Sequence, residues 1–130
     1  MPLHGVLKTC IMTDEEKKEY TWNRAQIVDG YDRDTVRKDA CGAWILKDHY
    51  GMRDSIFGWE VDHVFPIALG GDDFVQNLRA MQWENNVSKG DDYPSYMSAI
   101  QSEGNKNIRK EERYTINDSL QLELRKHYNM

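Results

Sequence analysis

The sequence predicts an α+β fold, and three observations carry that expectation. Phe57, Trp59, Val61, His63 and Phe65 alternate with Gly58, Glu60, Asp62 and Val64, the period-2 pattern of a strand that Pro66 ends. Asn77-Leu78-Arg79-Ala80-Met81 reads as a short second strand, and Gln82 to Lys89 follows as a helix stopped by Gly90. Further helix and strand signals flank this strand-loop-strand-helix unit on both sides.

The chain has 130 residues, enough for one domain with a real core but short of two, so residues 1–130 are treated as a unit. Hydrophobic residues make up 39% and charged residues 30%, with four Trp, seven Tyr and three Phe, the composition of a folded protein. No apolar run approaches the ~20 residues a membrane span needs. The first residues show no charged leader followed by a long apolar segment, which reads as cytoplasmic. Cys10 and Cys41 are too isolated for a disulfide framework or for C-x-x-C zinc spacing.

Taking the elements in order, residues 1–12 read as a leader or edge segment. Thr13-Asp14-Glu15-Glu16 is a capping box that opens a helix running to about Ile27, before Asp29-Gly30. Asp32 to Ala40 reads as a short helix or turn, and Cys41 to Leu46 as an apolar strand. The 82–89 helix places Gln82, Asn86 and Lys89 on one stripe, with Trp83 and Val87 toward the core. Beyond Tyr93-Pro94, Met97–Gln101 and Asn107–Ile116 read as two strands turned at Glu103-Gly104-Asn105. A final helix from Asn117 or Asp118 to about Tyr128 is expected to bury Leu120, Leu122 and Leu124.

The residues with the most chemistry lie in the central unit. Phosphodiester hydrolysis needs an activated water, stabilised charge on phosphorus-bound oxygens, and help for the departing oxygen; one divalent ion and one base suffice. His63 is the natural base, because histidine titrates near neutrality. Asp62 offers a hard anionic oxygen and Asn86 an amide oxygen suited to Mg²⁺ or Mn²⁺. Asn77 is placed to bond across the Gly70-Gly71 loop and fix the backbone near His63. Lys89, one turn beyond Asn86, is a candidate for a catalytic or phosphate contact, and Arg79 for a nucleic-acid contact. Strict alternation sends Asp62 and His63 to opposite faces, so the strand must twist or break near Pro66 for both to serve one site.

Asp62-His63, Asn77, Asn86 and Lys89, in this order and spacing, resemble the HNH endonuclease family, whose core is the ββα-metal or His-Me finger motif. The resemblance covers residues 57–91, about a quarter of the chain, with a weaker likeness through Trp22, Arg37–Trp44 and Tyr50-Gly51. It implies His63 as general base, Asp62 and Asn86 as ligands of a catalytic divalent ion, and Asn77 in a structural role. Asn in the last position is similar to the HNH domain of RNA-guided CRISPR nucleases. Gln82 and Asn85 stand where many relatives carry a C-x-x-C pair, so no structural zinc is expected.

The resemblance implies DNA as substrate, with RNA left open; one such site makes one cut, so double-strand cutting would require a homodimer, two successive events or a partner subunit. Against this stands a net charge of −5, and between Glu60 and Gly90 five acids face two bases. Phosphate binding ordinarily rests on Lys and Arg. The alternative expectation is therefore a non-catalytic ββα-metal module that binds nucleic acid or protein. Lys106 to Arg113, with four basic and two acidic side chains, reads first as a solvated strand and second as a DNA contact.

Overall fold

A computed structural model describes residues 12–130. The expectations for residues 1–11, including Cys10, lie outside the described residues. Helix α1 (Asp14–Arg24) starts where its capping box places it: Thr13 Oγ1 accepts from Glu16 N–H, and Glu16 Oε1 accepts from Thr13 N–H. It ends at Arg24, a turn short of the Ile27 expected.

Strands β1 (Val36–Lys38) and β2 (Trp44–Leu46) then form an antiparallel pair. The expected helix or turn over 32–40 is thus corrected in part to a strand. Its side chains hid the signal, because the buried member is Arg37, which donates from Nε to Arg33 O and from Nη1 to Ala25 O.

The central unit has the expected order. Strand β3 (Trp59–His63) pairs antiparallel with β4 (Leu78–Gln82), and helix α2 (Trp83–Lys89) follows directly. Gln82 caps α2, its Oε1 accepting from Glu84 and Asn85 N–H. Helix α1 packs on β3 and β4, and α2 packs on the same two strands.

The face that α2 buries is not the expected one. Val87 is 55% exposed, while Asn85 and Lys89, four apart, point inward. The cause is a polar hub: Asp39 Oδ1 accepts from Cys41 and Ala43 N–H, and its Oδ2 accepts from Gln82 N–H and Asn85 Nδ2. Asn85 also donates to Ile100 O and accepts from Ala99 and Ile100 N–H. Fully bonded, it is more stable inside than valine's apolar surface is costly outside.

Four strands follow instead of the expected two. Strands β6 (Ile100–Glu103) and β7 (Lys106–Arg109) form a hairpin closed by Gly104-Asn105, while β5 (Ser95–Met97) and β8 (Arg113–Thr115) pair outside it. Helix α3 (Asp118–Tyr128) is capped by Asn117 Oδ1 on Leu120 N–H. It buries Leu124, whereas Leu122 is exposed, correcting the expected core role of Leu122.

The chain is thus a mixed α and β domain of three helices and small antiparallel sheets across its described residues. One core cluster joins Val64, Phe65, Met81, Tyr96, Ile116 and Leu124; another joins Trp22, Ile45, Trp59 and Ala80. Trp22, Trp44 and Trp59 are core residues, and Trp83 is half-buried. Buried Cys41 sits in the first cluster, where burial pushes its thiol up to about 12. No helix among the described residues is long and apolar enough to cross a membrane.

Candidate active site

The loop between β3 and β4 is locked from within. Asn77, fully buried, accepts from Phe65 N–H at 2.7 Å and donates to Phe65 O and Asp72 O, both at 3.0 Å. Val64 N–H adds a bond to Asn77 O. The chain folds back so tightly that Gly71 N–H reaches Pro66 O, and a Cβ on Gly71 would lie 1.9 Å from Phe65 O. Asn77 therefore holds the backbone that follows His63, the structural part expected of it.

A pocket of about 210 Å³ opens beside this loop. Asp62 and His63 from β3, Pro66 and Ile67 from the loop, Asn86 from α2, and Asp91 beyond it all line it. The two-residue conflict of strand alternation is resolved at the strand's end. Asp62 is buried and His63 half-buried, yet both border one space at the rim of a two-stranded ribbon, where twist is large.

Asp62, His63 and Asn86 are each held by a partner. Asp62 Oδ2 accepts from Arg79 Nε at 2.9 Å, directly across the ladder, and Oδ1 lies 3.4 Å from Lys89 Nζ. Asn86 Nδ2 donates to Glu60 Oε1 at 3.0 Å, which leaves Asn86 Oδ1 without a bonded donor among the described residues. Glu60 in turn grips Arg53 through two bonds of 2.6 and 2.9 Å. Burial pushes the Glu60 carboxyl up, but the bonds from Arg53 and Asn86 overcome it and hold it below its ordinary value. His63 Nε2 lies 2.8 Å from Asp73 Oδ1.

Two expected roles are corrected. The Lys89 side chain is 0% exposed and donates to His63 O at 3.1 Å as well as pairing with Asp62, so it is a strut under the site and cannot reach a phosphate from where it stands. Burial accordingly pushes its ammonium below the usual lysine range. Arg79 is 17% exposed, lies over the Tyr96 ring and is spent on Asp62, so it is no surface contact for nucleic acid. Arg53 and Arg109 are exposed but paired, to Glu60 and Glu84 respectively.

Sequence reasoning also passed over Asp73 and Glu60. Asp73 follows Gly70-Gly71-Asp72, the composition of a turn, and the only signal of its contact was its position ten residues after His63. Glu60, two before Asp62 on the strand, was legible as a same-face neighbour. No protein-family model matches the chain, and no curated protein or solved structure matches it.

Proposed function

We propose that the chain is a metal-dependent phosphodiesterase of the HNH kind, acting on DNA. The observation that carries this reading is the meeting of Asp62, His63 and Asn86, from β3 and α2, on one open pocket. A general base and two oxygen donors are what in-line hydrolysis requires of a protein. The order β3, β4, α2 is that of a ββα-metal core.

The donors suit a hard divalent ion such as Mg²⁺ or Mn²⁺. Asp62, Asn86 Oδ1 and Asp91 offer only oxygen, and no cluster of three His, Cys, Asp or Glu side chains is present among the described residues. An ion here would lean on water and phosphate for much of its shell, as Mg²⁺ does. Asp62 and Asn86 are the residues that would hold it. When bound, such an ion would supply stabilisation of the negative charge on phosphorus-bound oxygens and on the departing oxygen. His63 takes the proton of the attacking water. Arg79 and Lys89 keep Asp62 in place, and Lys89 and Asn77 fix the backbone at and just after His63.

A nicking assay on supercoiled plasmid, with and without Mg²⁺ or Mn²⁺, tests the reading. His63→Ala is expected to lose cutting by at least about 100-fold. Equal cutting by both proteins removes His63 from the mechanism.

The double pairing of Asp62 favours one rival, a non-catalytic binding module, because a carboxylate already flanked by two cations attracts a third weakly. Absence of cutting on any DNA or RNA, with no Mn²⁺ binding by calorimetry, selects that rival.

A further inference from the structure

We infer that Asp73, itself held by Lys17, is the positioning residue for His63, fixing the ring with its proton on Nε2 and leaving Nδ1 to accept a proton in the pocket. This rests on the hydrolase reading of the pocket and adds Asp73 and Lys17, which lie outside its lining.

The donor count at His63 fixes its tautomer. An ionised carboxylate only accepts, so the 2.8 Å contact from Asp73 Oδ1 requires Nε2 to donate. A neutral imidazole carries one N–H, and Nδ1 is then the bare acceptor. Nδ1 has no hydrogen-bond partner among the described residues, while His63 borders the pocket. Asp73 remains a carboxylate because the His63 bond, and after it the Lys17 bond, hold it below its ordinary range. Lys17 Nζ lies 2.6 Å from Asp73 Oδ2 and projects from α1, a helix anchored by its own capping box.

The placement is built rather than incidental. On the residue before Asp73, Asp72 O accepts from Asn77 Nδ2, and Asp72 Oδ1 accepts from Phe74 N–H and Tyr128 O–H. The backbone on both sides of Asp73 is therefore tied, and its carboxylate is delivered to the ring from a fixed loop. In the reaction, one water O–H bond breaks and Nδ1–H forms. The proton stays on the ring, and Asp73 stabilises the resulting imidazolium without taking a proton itself.

Nitrogen-15 NMR of the metal-free protein, at a pH above the ordinary histidine range, reads the tautomer directly. The wild type is expected to show His63 as a single Nε2–H tautomer with a downfield, slowly exchanging ring N–H resonance. Asp73→Ala is expected to lose that resonance and to mix the tautomers, and Asp73→Glu to restore both. In the nicking assay, Asp73→Ala should lower kcat about 100-fold with KM within about twofold, and Asp73→Glu should recover most of it. A wild type that populates both tautomers, or a resonance that survives Asp73→Ala, overturns the inference while leaving the nuclease reading standing. A wild type that cuts nothing overturns that reading and Asp73's part in proton transfer with it, whatever tautomer the ring holds.

Discussion

Asp62 and Arg79 face each other across the β3–β4 ladder and join at 2.9 Å in a site where Asp62 is only 4% exposed. With Lys89 on the other oxygen, one buried anion serves a buried and a half-buried cation. The charge count decides which deletion hurts more. Asp62→Ala strands both cations and should cost about 3–5 kcal/mol. Lys89→Met leaves the Asp62–Arg79 pair intact and should cost about 1–2 kcal/mol, chiefly the lost bond to His63 O. Denaturant midpoints of the two variants check the order, and the reverse order would show that packing outweighs pairing here.

Asn85 and Asn86 are adjacent in sequence and opposite in consequence. Asn85 makes four side-chain bonds in the interior, so Asn85→Ala should destabilise by about 3 kcal/mol or more. Asn86 makes one, to Glu60, and Asn86→Ala should cost under about 1 kcal/mol while removing Mn²⁺ binding and cutting. Thermal unfolding together with calorimetric titration separates the two.

What was legible in the sequence was what local chemistry determines. The capping box at Thr13, the stop at Gly90, the turn at Gly104-Asn105 and the order strand, strand, helix each follow from signals a few residues long. Asn77's role was legible too, because a buried loop needs internal bonding and asparagine supplies it. What was hidden depends on partners far along the chain. Hydrophobicity pointed Val87 inward, but Asp39, 46 residues before Asn85, turns the helix the other way. Lys89 and Arg79 looked like phosphate ligands because exposure is the default for cations; only the fold shows that Asp62 draws both inside. Strand β1 was missed because an arginine that donates to two backbone carbonyls is buried there like an apolar residue.

The loop after His63 should tolerate no side chain at Gly71. A Cβ there would sit 1.9 Å from Phe65 O, a clash with backbone that no rotamer relieves. Gly71→Ala is expected to displace the 66–72 turn and destabilise by about 2–4 kcal/mol. Gly70→Ala meets only the Phe65 ring at 3.8 Å, but at φ 112° it should still cost about 1 kcal/mol. Comparing the two midpoints separates steric closure from backbone conformation.

The tie between that loop and α3 should depend on pH at both ends of the scale. Tyr128 O–H donates to Asp72 Oδ1 at 2.7 Å, and this bond, with Phe74 N–H, holds the Asp72 carboxyl below its ordinary range. Folded Asp72 therefore binds its proton less tightly than the unfolded chain does. Its stabilisation is complete above the ordinary aspartate value of about 4 and is lost as pH falls through the lower folded value. Burial, and then the same bond, push Tyr128 up to about 12. That contribution is complete below the ordinary tyrosine value of about 10 and is lost as pH rises toward the folded one. The difference in Tm between the wild type and Tyr128→Phe should be largest from about pH 5 to 9 and shrink on both sides. A difference that stays constant across the whole range would mean that the hydroxyl contributes nothing through Asp72.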